Sequence, residues 1–283
     1  MGEHPLEILS RRYPQLLLPI RSGMKDTEEY KDVVLRGKRA ERRPDFSLNG
    51  KDSLALFCTP AGNVDILTLA DRLDFEHAVQ ALAQRCEPDP VPPSMGASTV
   101  IGLINWEKIH SHMDAYEAGG GEDSDSEFEK FVSDKSNYLD ALIILSSGEY
   151  SAVPSEKMNL PYDVWIEKSI EIRKYHELSH FYSRKLYPEN REAVRDEIVA
   201  DMDGIISAFG YYDTAAARLF LGIEGHSYRE GGRLQNYVSG RDGESVMNRA
   251  NELIDILADA VKSRYGDGVF SLLDFVEKNK IGL

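Results

Sequence analysis

Residues 173–201, RKYHELSHFYSRKLYPENREAVRDEIVAD, restrict the fold of this chain more than any other segment. The segment has helical periodicity before and after Pro188, and a proline at this point is typical of a tight turn between two helices. We expect the first helix to end at Tyr187, Pro188 and Glu189 to form the turn, and Asn190 to cap the second helix. Two helices joined by so short a turn pack antiparallel, which predicts a helical hairpin.

Two histidines lie one turn apart in the first helix of this hairpin. His176 and His180 occupy positions i and i+4, so their side chains project from one helix face, about 5 to 6 Å apart at Cβ. Two imidazoles at this spacing can bind one zinc ion. Glu177 is rotated by about 100° around the helix axis, from where its carboxylate can reach a water on the metal without binding the metal itself.

The hairpin geometry predicts a third ligand in the second helix. Counted outward from the turn, His180 and Glu197 lie at the same distance, roughly 10 Å along their helices. Asp201 is level with His176 by the same count, and its carboxylate can accept a hydrogen bond from the second nitrogen of that imidazole. The sequence therefore predicts a zinc site with His176, His180 and Glu197 as its ligands.

This pattern resembles the gluzincin class of zinc metallopeptidases, the thermolysin-like group, in which HExxH on one helix is joined by a glutamate on the next helix and an aspartate one turn later. The resemblance covers residues 173–201 and implies a Zn²⁺ cofactor, with Glu177 as the general base. The chain is also similar to a bacterial family of uncharacterised proteins in which HExxH is followed by DExxAD, here DEIVAD at residues 196–201. That second resemblance implies no substrate.

The sequence departs from related patterns at identifiable positions. The interval between His180 and Glu197 is shorter than in thermolysin-like enzymes, which a tight turn at YPEN accommodates. The metzincin pattern HExxHxxGxxH is excluded, because it would require glycine at Ser183 and histidine at Leu186.

A polar loop downstream offers candidates for stabilising an oxyanion. The segment EGHSYREGGRLQNY, residues 224–237, contains His226, Tyr228 and Arg233, all of which can polarise a carbonyl group. Solvated loop residues are the alternative interpretation for each of them.

The remainder of the chain predicts an α+β fold. Residues 1–155 are expected to form a mixed strand-and-helix N-terminal half. Residues 156–283 are expected to form an all-helical C-terminal half that carries a zincin-like active-site helix. The N-terminal half is expected to contain a helix over 74–85. Its strands are expected over 54–58, 65–69, 100–104 and 141–153. The C-terminal helices are expected over 161–187, 190–209, 213–222, 244–264 and 269–279.

Three N-terminal segments are open to a structural or a functional interpretation. Residues 141–153 form either a strand that holds an extended peptide by edge pairing, as the resemblance implies, or a plain core strand. Residues 117–127, EAGGGEDSDSE, are expected to be a mobile acidic surface loop without the spacing of a calcium-binding loop. His110 and His112 are expected on the surface of a strand.

Charge and composition exclude several classes of partner. The formal net charge of −15 repels nucleic acid and anionic lipid, and no basic patch offsets it. No apolar run approaches the roughly 20 residues that cross a bilayer, so we expect no membrane partner. Only Cys58 and Cys86 are present, outside any CxxC motif, which favours a reducing cytoplasmic location.

The function expected from these features is zinc-dependent hydrolysis of a peptide or amide bond in a peptide or protein substrate. Glu177 would accept a proton from the attacking water and pass it to the leaving amine. Two alternatives stay open: a non-catalytic metal-stabilised binding module, and a sensor protease with one dedicated protein target. The sequence gives no indication of the oligomeric state.

Overall fold

The computed structural model describes residues 3–40, 46–225, 227–229, 232–238 and 242–283. These residues have the α+β fold that the sequence predicts, with helices along the chain and a mixed four-stranded sheet in the N-terminal part. No helix within these ranges is long and apolar enough to cross a membrane. Two compact units are present, one comprising Met1–Phe57, Val64–Val91 and Ser98–Ser146, the other Cys58–Asn63, Pro92–Ala97 and Ser147–Leu283. The division into 1–155 and 156–283 stays a prediction.

The four-stranded sheet has the order β1-β2-β4-β3. Its strands are β1 (Ser53–Thr59), β2 (Gly62–Leu69), β3 (Ala97–Ile104) and β4 (Leu139–Ser146). Strands β2 and β4 pair in parallel, with Asp65 opposite Leu142 and Leu69 opposite Ser146. The apolar run from Leu142 to Leu145 at the centre of β4 is fully buried, as expected for a strand covered on both faces.

The position of β4 decides between the two interpretations of residues 141–153. Because β4 lies between β2 and β3, both of its edges are already paired, and it has no free edge for a peptide. The core-strand interpretation is confirmed, and the edge-pairing interpretation is wrong. The strand also ends at Ser146, so the residues after it follow a different path.

Among the described residues, the N-terminal part contains the helices α1 (Pro5–Arg12), α2 (Glu28–Tyr30, continued by a π-helical segment, Lys31–Leu35), α3 (Arg72–Leu82), α4 (Trp106–Ala118) and α5 (Ser124–Ser133). Helix α4 carries His110 and His112, so their assignment to a strand was wrong. Helix α5 begins inside the acidic segment predicted as a loop, because Asp123 caps it by accepting a hydrogen bond from the Ser126 N–H. Acidic residues in the first turn of a helix are favourable.

The C-terminal part is helical, as predicted, except for one small hairpin. Its helices are α6 (Tyr162–Leu186), α7 (Ala193–Phe209), α8 (Thr214–Leu221), α9 (Gly243–Val261) and α10 (Val269–Lys278). The exception is the antiparallel pair β5 (Ile223–Glu224) and β6 (Ser227–Tyr228), which overlaps the start of the predicted polar loop, residues 224–237.

Helices α6 and α7 form the predicted hairpin, with a different cap. Glu192 caps α7, since its carboxylate accepts hydrogen bonds from the N–H groups of Val194 and Arg195. Asn190, predicted as the cap, is buried, and its amide donates to the carbonyl and to the carboxylate of Glu277 at 2.8 and 3.0 Å. The side chain of Asn190 therefore binds the last helix instead of the start of α7.

A glycine allows the two helices of the hairpin to lie close together. A Cβ atom built on Gly204 of α7 would lie 2.6 Å from the carbonyl oxygen of Ile172 in α6. No real side chain fits at that distance, so glycine at this position permits the close approach. The contact lies one helical turn from His176 and thereby sets the spacing of the site described next.

Candidate metal centre

The two histidines of the HExxH motif converge on one point. His176 and His180 project from the same face of α6, and their Nε2 atoms are 3.1 Å apart. Their rings are nearly perpendicular, with centroids 4.7 Å apart. Each residue is 7% exposed, so the two imidazoles are largely removed from bulk water.

Glu197 completes the cluster from α7. Its Oε1 lies 3.2 Å from Nε2 of His180, and its Oε2 lies 3.6 Å from Nε2 of His176. The three residues are the set of potential metal ligands found among the described residues. Ligand atoms at 2.0 to 2.1 Å from a tetrahedral zinc ion are about 3.3 Å from one another. The separation of the two Nε2 atoms, 3.1 Å, and that of Oε1 from Nε2 of His180, 3.2 Å, are close to this value.

Asp201 fixes the orientation of His176. Its Oδ1 lies 2.9 Å from Nδ1 of His176, and because a carboxylate can only accept, Nδ1 carries the proton. In the neutral imidazole the lone pair of His176 is then on Nε2, which faces His180 and Glu197. A carboxylate on the far nitrogen of a metal-binding histidine is the usual arrangement.

Tyr150, which the sequence analysis missed, lies beside this pair. Its hydroxyl donates to Oδ1 of Asp201 at 2.6 Å and lies 3.0 Å from Nδ1 of His176. Burial raises the pKa of Tyr150 well above its usual value, so the hydroxyl keeps its proton.

An irregular segment after β4 delivers Tyr150 to the site. The N–H of Tyr150 donates to Oγ of Ser169 in α6, and the guanidinium of Arg173 donates to the carbonyl of Glu149 at 2.6 Å. Ser151 and Ala152 follow with φ values of 52° and 53°, an uncommon conformation for residues other than glycine. No periodic pattern in the sequence marks this path.

Arg233, one of the loop candidates, contacts both carboxylates of the site. Its Nη2 donates to Oε2 of Glu197 at 2.7 Å, and its Nη1 donates to Oδ1 and Oδ2 of Asp201 at 2.9 and 3.1 Å. Nη1 also donates to the hydroxyls of Tyr150 and Ser151 at 3.0 and 3.2 Å. Both terminal nitrogens of the guanidinium thus donate hydrogen bonds to residues of the site.

The other loop candidates have different outcomes. Tyr228 is part of β6, and its hydroxyl would lie 3.0 Å from a Cβ built on Gly243, so it sits at the start of α9. His226 lies outside the described residues. Tyr237, which was not singled out in the sequence, lies close to the cluster: burial and the charge of Glu197 raise its pKa above the usual value.

The electrostatics of the cluster keep its carboxylates ionised. Burial alone would raise the pKa of Glu197, but the hydrogen bond to His180 and the charges of His176 and Arg233 hold it well below the usual range. Burial likewise opposes ionisation of Asp201, and the charge of Arg233 and the bond to His176 outweigh it, so its pKa is lowered. An ionised carboxylate and two imidazoles form a donor set that suits zinc.

Glu177 follows His176 in α6 and is partly exposed. Glu177 is thus adjacent to one ligand of the cluster, and its side chain is not fully buried. This partial exposure is suited to a group that must exchange protons with water and substrate.

Comparison with protein-family models gives a match over most of the chain. A family model described as "Family of unknown function (DUF7005)" matches residues 2–265. No curated protein and no solved structure matches the chain.

Proposed function

Because the chain belongs to DUF7005, a family of unknown function, we propose its function from the site alone. The proposed function is that of a zinc-dependent hydrolase that cleaves peptide or amide bonds and is most closely comparable to the gluzincin metallopeptidases. The observation that carries the proposal is the convergence of three ligand atoms. The two Nε2 atoms are 3.1 Å apart, and Oε1 of Glu197 lies 3.2 Å from Nε2 of His180, both close to the edge of a zinc coordination tetrahedron. The same ligands come from the helices in which HExxH and the following glutamate predict them.

The side chains around the cluster support hydrolysis over mere metal storage. Zinc bound there would supply a Lewis acid that acidifies water and polarises a carbonyl group. Glu177 is placed next to the ligand His176 and is the proposed base that takes the proton of the attacking water and returns it to the leaving amine. Tyr237 holds a protonated hydroxyl that is hydrogen-bonded to Glu197, and by exchanging this partner it could donate to the developing oxyanion.

The proposal also covers substrate and location. The net charge of −15 favours substrates with basic residues and disfavours nucleic acid and anionic lipid. Cys58 and Cys86 are both free thiols, which supports the proposed cytoplasmic location, where thiols stay reduced.

The experiment is metal analysis of the purified protein followed by a peptide-library cleavage assay on the wild type and on Glu177→Gln. We expect bound zinc in both proteins and a loss of hydrolysis of at least about 100-fold in the variant, the usual effect of removing a general base. Glu171→Gln is the matched control, since Glu171 lies on the same helix and pairs with Lys174 at 2.6 Å.

Two results would argue against the proposal. A protein that retains no metal would remove its basis, and full hydrolysis by Glu177→Gln would remove the assigned base. Zinc without turnover of any peptide would favour the binding module or the sensor protease with a single target.

A further inference from the structure

The two oxygens of Glu197 have different partners. Oε1 lies 3.2 Å from Nε2 of His180, inside the ligand cluster. Oε2 accepts a hydrogen bond from Nη2 of Arg233 at 2.7 Å and lies 3.6 Å from Nε2 of His176. Arg233 therefore holds Oε2 by a hydrogen bond, whereas Oε1 is the oxygen that faces His180.

Arg233 is itself held in place by several contacts. Its Nη1 binds both oxygens of Asp201 and the hydroxyls of Tyr150 and Ser151. The guanidinium lies over the Tyr150 ring, with Cζ 5.5 Å from the ring centroid. A planar guanidinium fixed at one end in this way presents its other nitrogen in one direction.

The number of oxygens that a carboxylate gives to a metal matters for catalysis. A carboxylate can bind a cation through one oxygen or through both. A catalytic zinc site has three protein ligands and keeps a fourth position for water or substrate. If Glu197 bound through both oxygens, its second oxygen would compete for that position.

We propose that Arg233 is a positioning residue that restricts Glu197 to binding the metal through Oε1 and so keeps the fourth coordination position open. The inference rests on the proposed function and adds a role that HExxH and the third ligand do not specify. It differs from the oxyanion role considered from the sequence, because both terminal nitrogens of Arg233 are already engaged by Glu197 and Asp201. The charge of the guanidinium also offsets one of the two buried carboxylates.

The test uses the full chain loaded with Co²⁺, whose visible absorption is strong in four-coordinate sites and weak in sites with more ligands. The wild type should show the strong bands of four-coordinate cobalt. Arg233→Met removes the donor to Oε2, so Glu197 can bind through both oxygens, and the absorption per bound cobalt should fall several-fold. Arg218→Met is a matched control, because Arg218 binds Asp255 on α9 at 2.7 Å and not the cluster.

A second variant protects the test against misfolding. Arg233→Met leaves two buried carboxylates without their cation, which destabilises the fold. The double variant Arg233→Met with Asp201→Asn restores the charge balance, and the asparagine oxygen can still accept from Nδ1 of His176. Its spectrum is compared with that of Asp201→Asn alone, and the same several-fold fall is expected.

The outcomes separate this inference from the proposed function. Stoichiometric cobalt with unchanged absorption in both Arg233 variants would overturn the positioning role and leave the metal site intact. A wild-type protein that binds neither Co²⁺ nor Zn²⁺ would overturn both. Reduced absorption in the double variant at full metal content supports the positioning role, since a purely structural effect would reduce metal content instead.

Discussion

At the scale of single residues, hydrogen bonds fix the protonation and the orientation of the groups in the site. Asp201 accepts from Nδ1 of His176, from the hydroxyl of Tyr150 and from Arg233. Because all three donors point at one carboxylate, the imidazole has a single tautomer and a single ring orientation. A ligand fixed before the metal arrives loses little freedom on binding it.

Tyr150→Phe tests this network directly. The variant keeps the buried ring and removes the hydroxyl that donates to Asp201 at 2.6 Å, so the fold should persist. Loss of such a partner typically costs about 10-fold to 100-fold in metal affinity. We expect a fall of about 10-fold, measured by competition with a chromophoric zinc chelator.

Tyr182→Phe is the matched control for Tyr150→Phe. The hydroxyl of Tyr182 also binds a carboxylate, that of Asp274 at 3.2 Å, but this pair does not touch the metal cluster. Equal zinc affinities for the wild type and for Tyr150→Phe would show that the hydroxyl does not orient His176.

At the scale of helices and strands, regularity decides how much of the site the sequence reveals. His176, His180, Glu197 and Asp201 could be placed together in advance, because all four lie on two consecutive helices whose rise per residue is constant. The cap of α7 was misassigned, since nothing local shows that Asn190 is used by the distant Glu277.

Irregular segments were harder to predict than helices. Tyr150 reaches the site through positive-φ residues after β4, and Tyr237 through a short 3₁₀ segment. Neither path has a period that a sequence could display. The chemistry of Arg233 makes it a candidate for stabilising an oxyanion. Its hydrogen bonds to Glu197 and Asp201 depend on the path of the 3₁₀ segment, which the sequence does not reveal.

The close approach of α6 and α7 gives a prediction at this scale. Gly204→Ala would place a Cβ 2.6 Å from the backbone oxygen of Ile172, and backbone yields less than a flexible side chain. The added methyl should push the helices apart and lower the free energy of unfolding by about 1 to 3 kcal/mol, despite the better helix propensity of alanine. Zinc affinity should fall with it, because Glu197 moves away from the histidines.

Gly266→Ala is the control for Gly204→Ala, since nothing lies within 4 Å of a Cβ built there. Urea denaturation and chelator competition on both variants give the two readouts. Unchanged stability and affinity in Gly204→Ala would mean that the helix spacing does not depend on this contact.

At the scale of the whole molecule, α7 carries two buried aspartates in opposite situations. Asp201 is saturated with donors, whereas both oxygens of Asp203 are buried without a hydrogen-bond partner among the described residues. Burial raises the pKa of Asp203 well above its usual value, so this group keeps its proton to a higher pH in the folded protein than in the unfolded chain. Because of this raised pKa, the fold is less stable at a pH where Asp203 would be ionised in the unfolded chain.

The consequence is a stability that depends on pH through Asp203. The unfolded chain releases this proton above about pH 4, whereas the folded chain keeps it until pH reaches the raised pKa. The contribution of Asp203 is therefore complete below about pH 4 and is lost as pH rises, by about 1.4 kcal/mol per pH unit. Asp203→Asn cannot ionise, so its free energy of unfolding relative to the wild type should increase at that rate as the pH rises from about 4 toward the raised pKa of Asp203. Urea denaturation of the metal-free proteins measures this difference, and the variant Asp259→Asn, at an exposed position, is the control. If the free energies of unfolding of Asp203→Asn and the wild type changed in parallel with pH, Asp203 would be ionised in the folded protein.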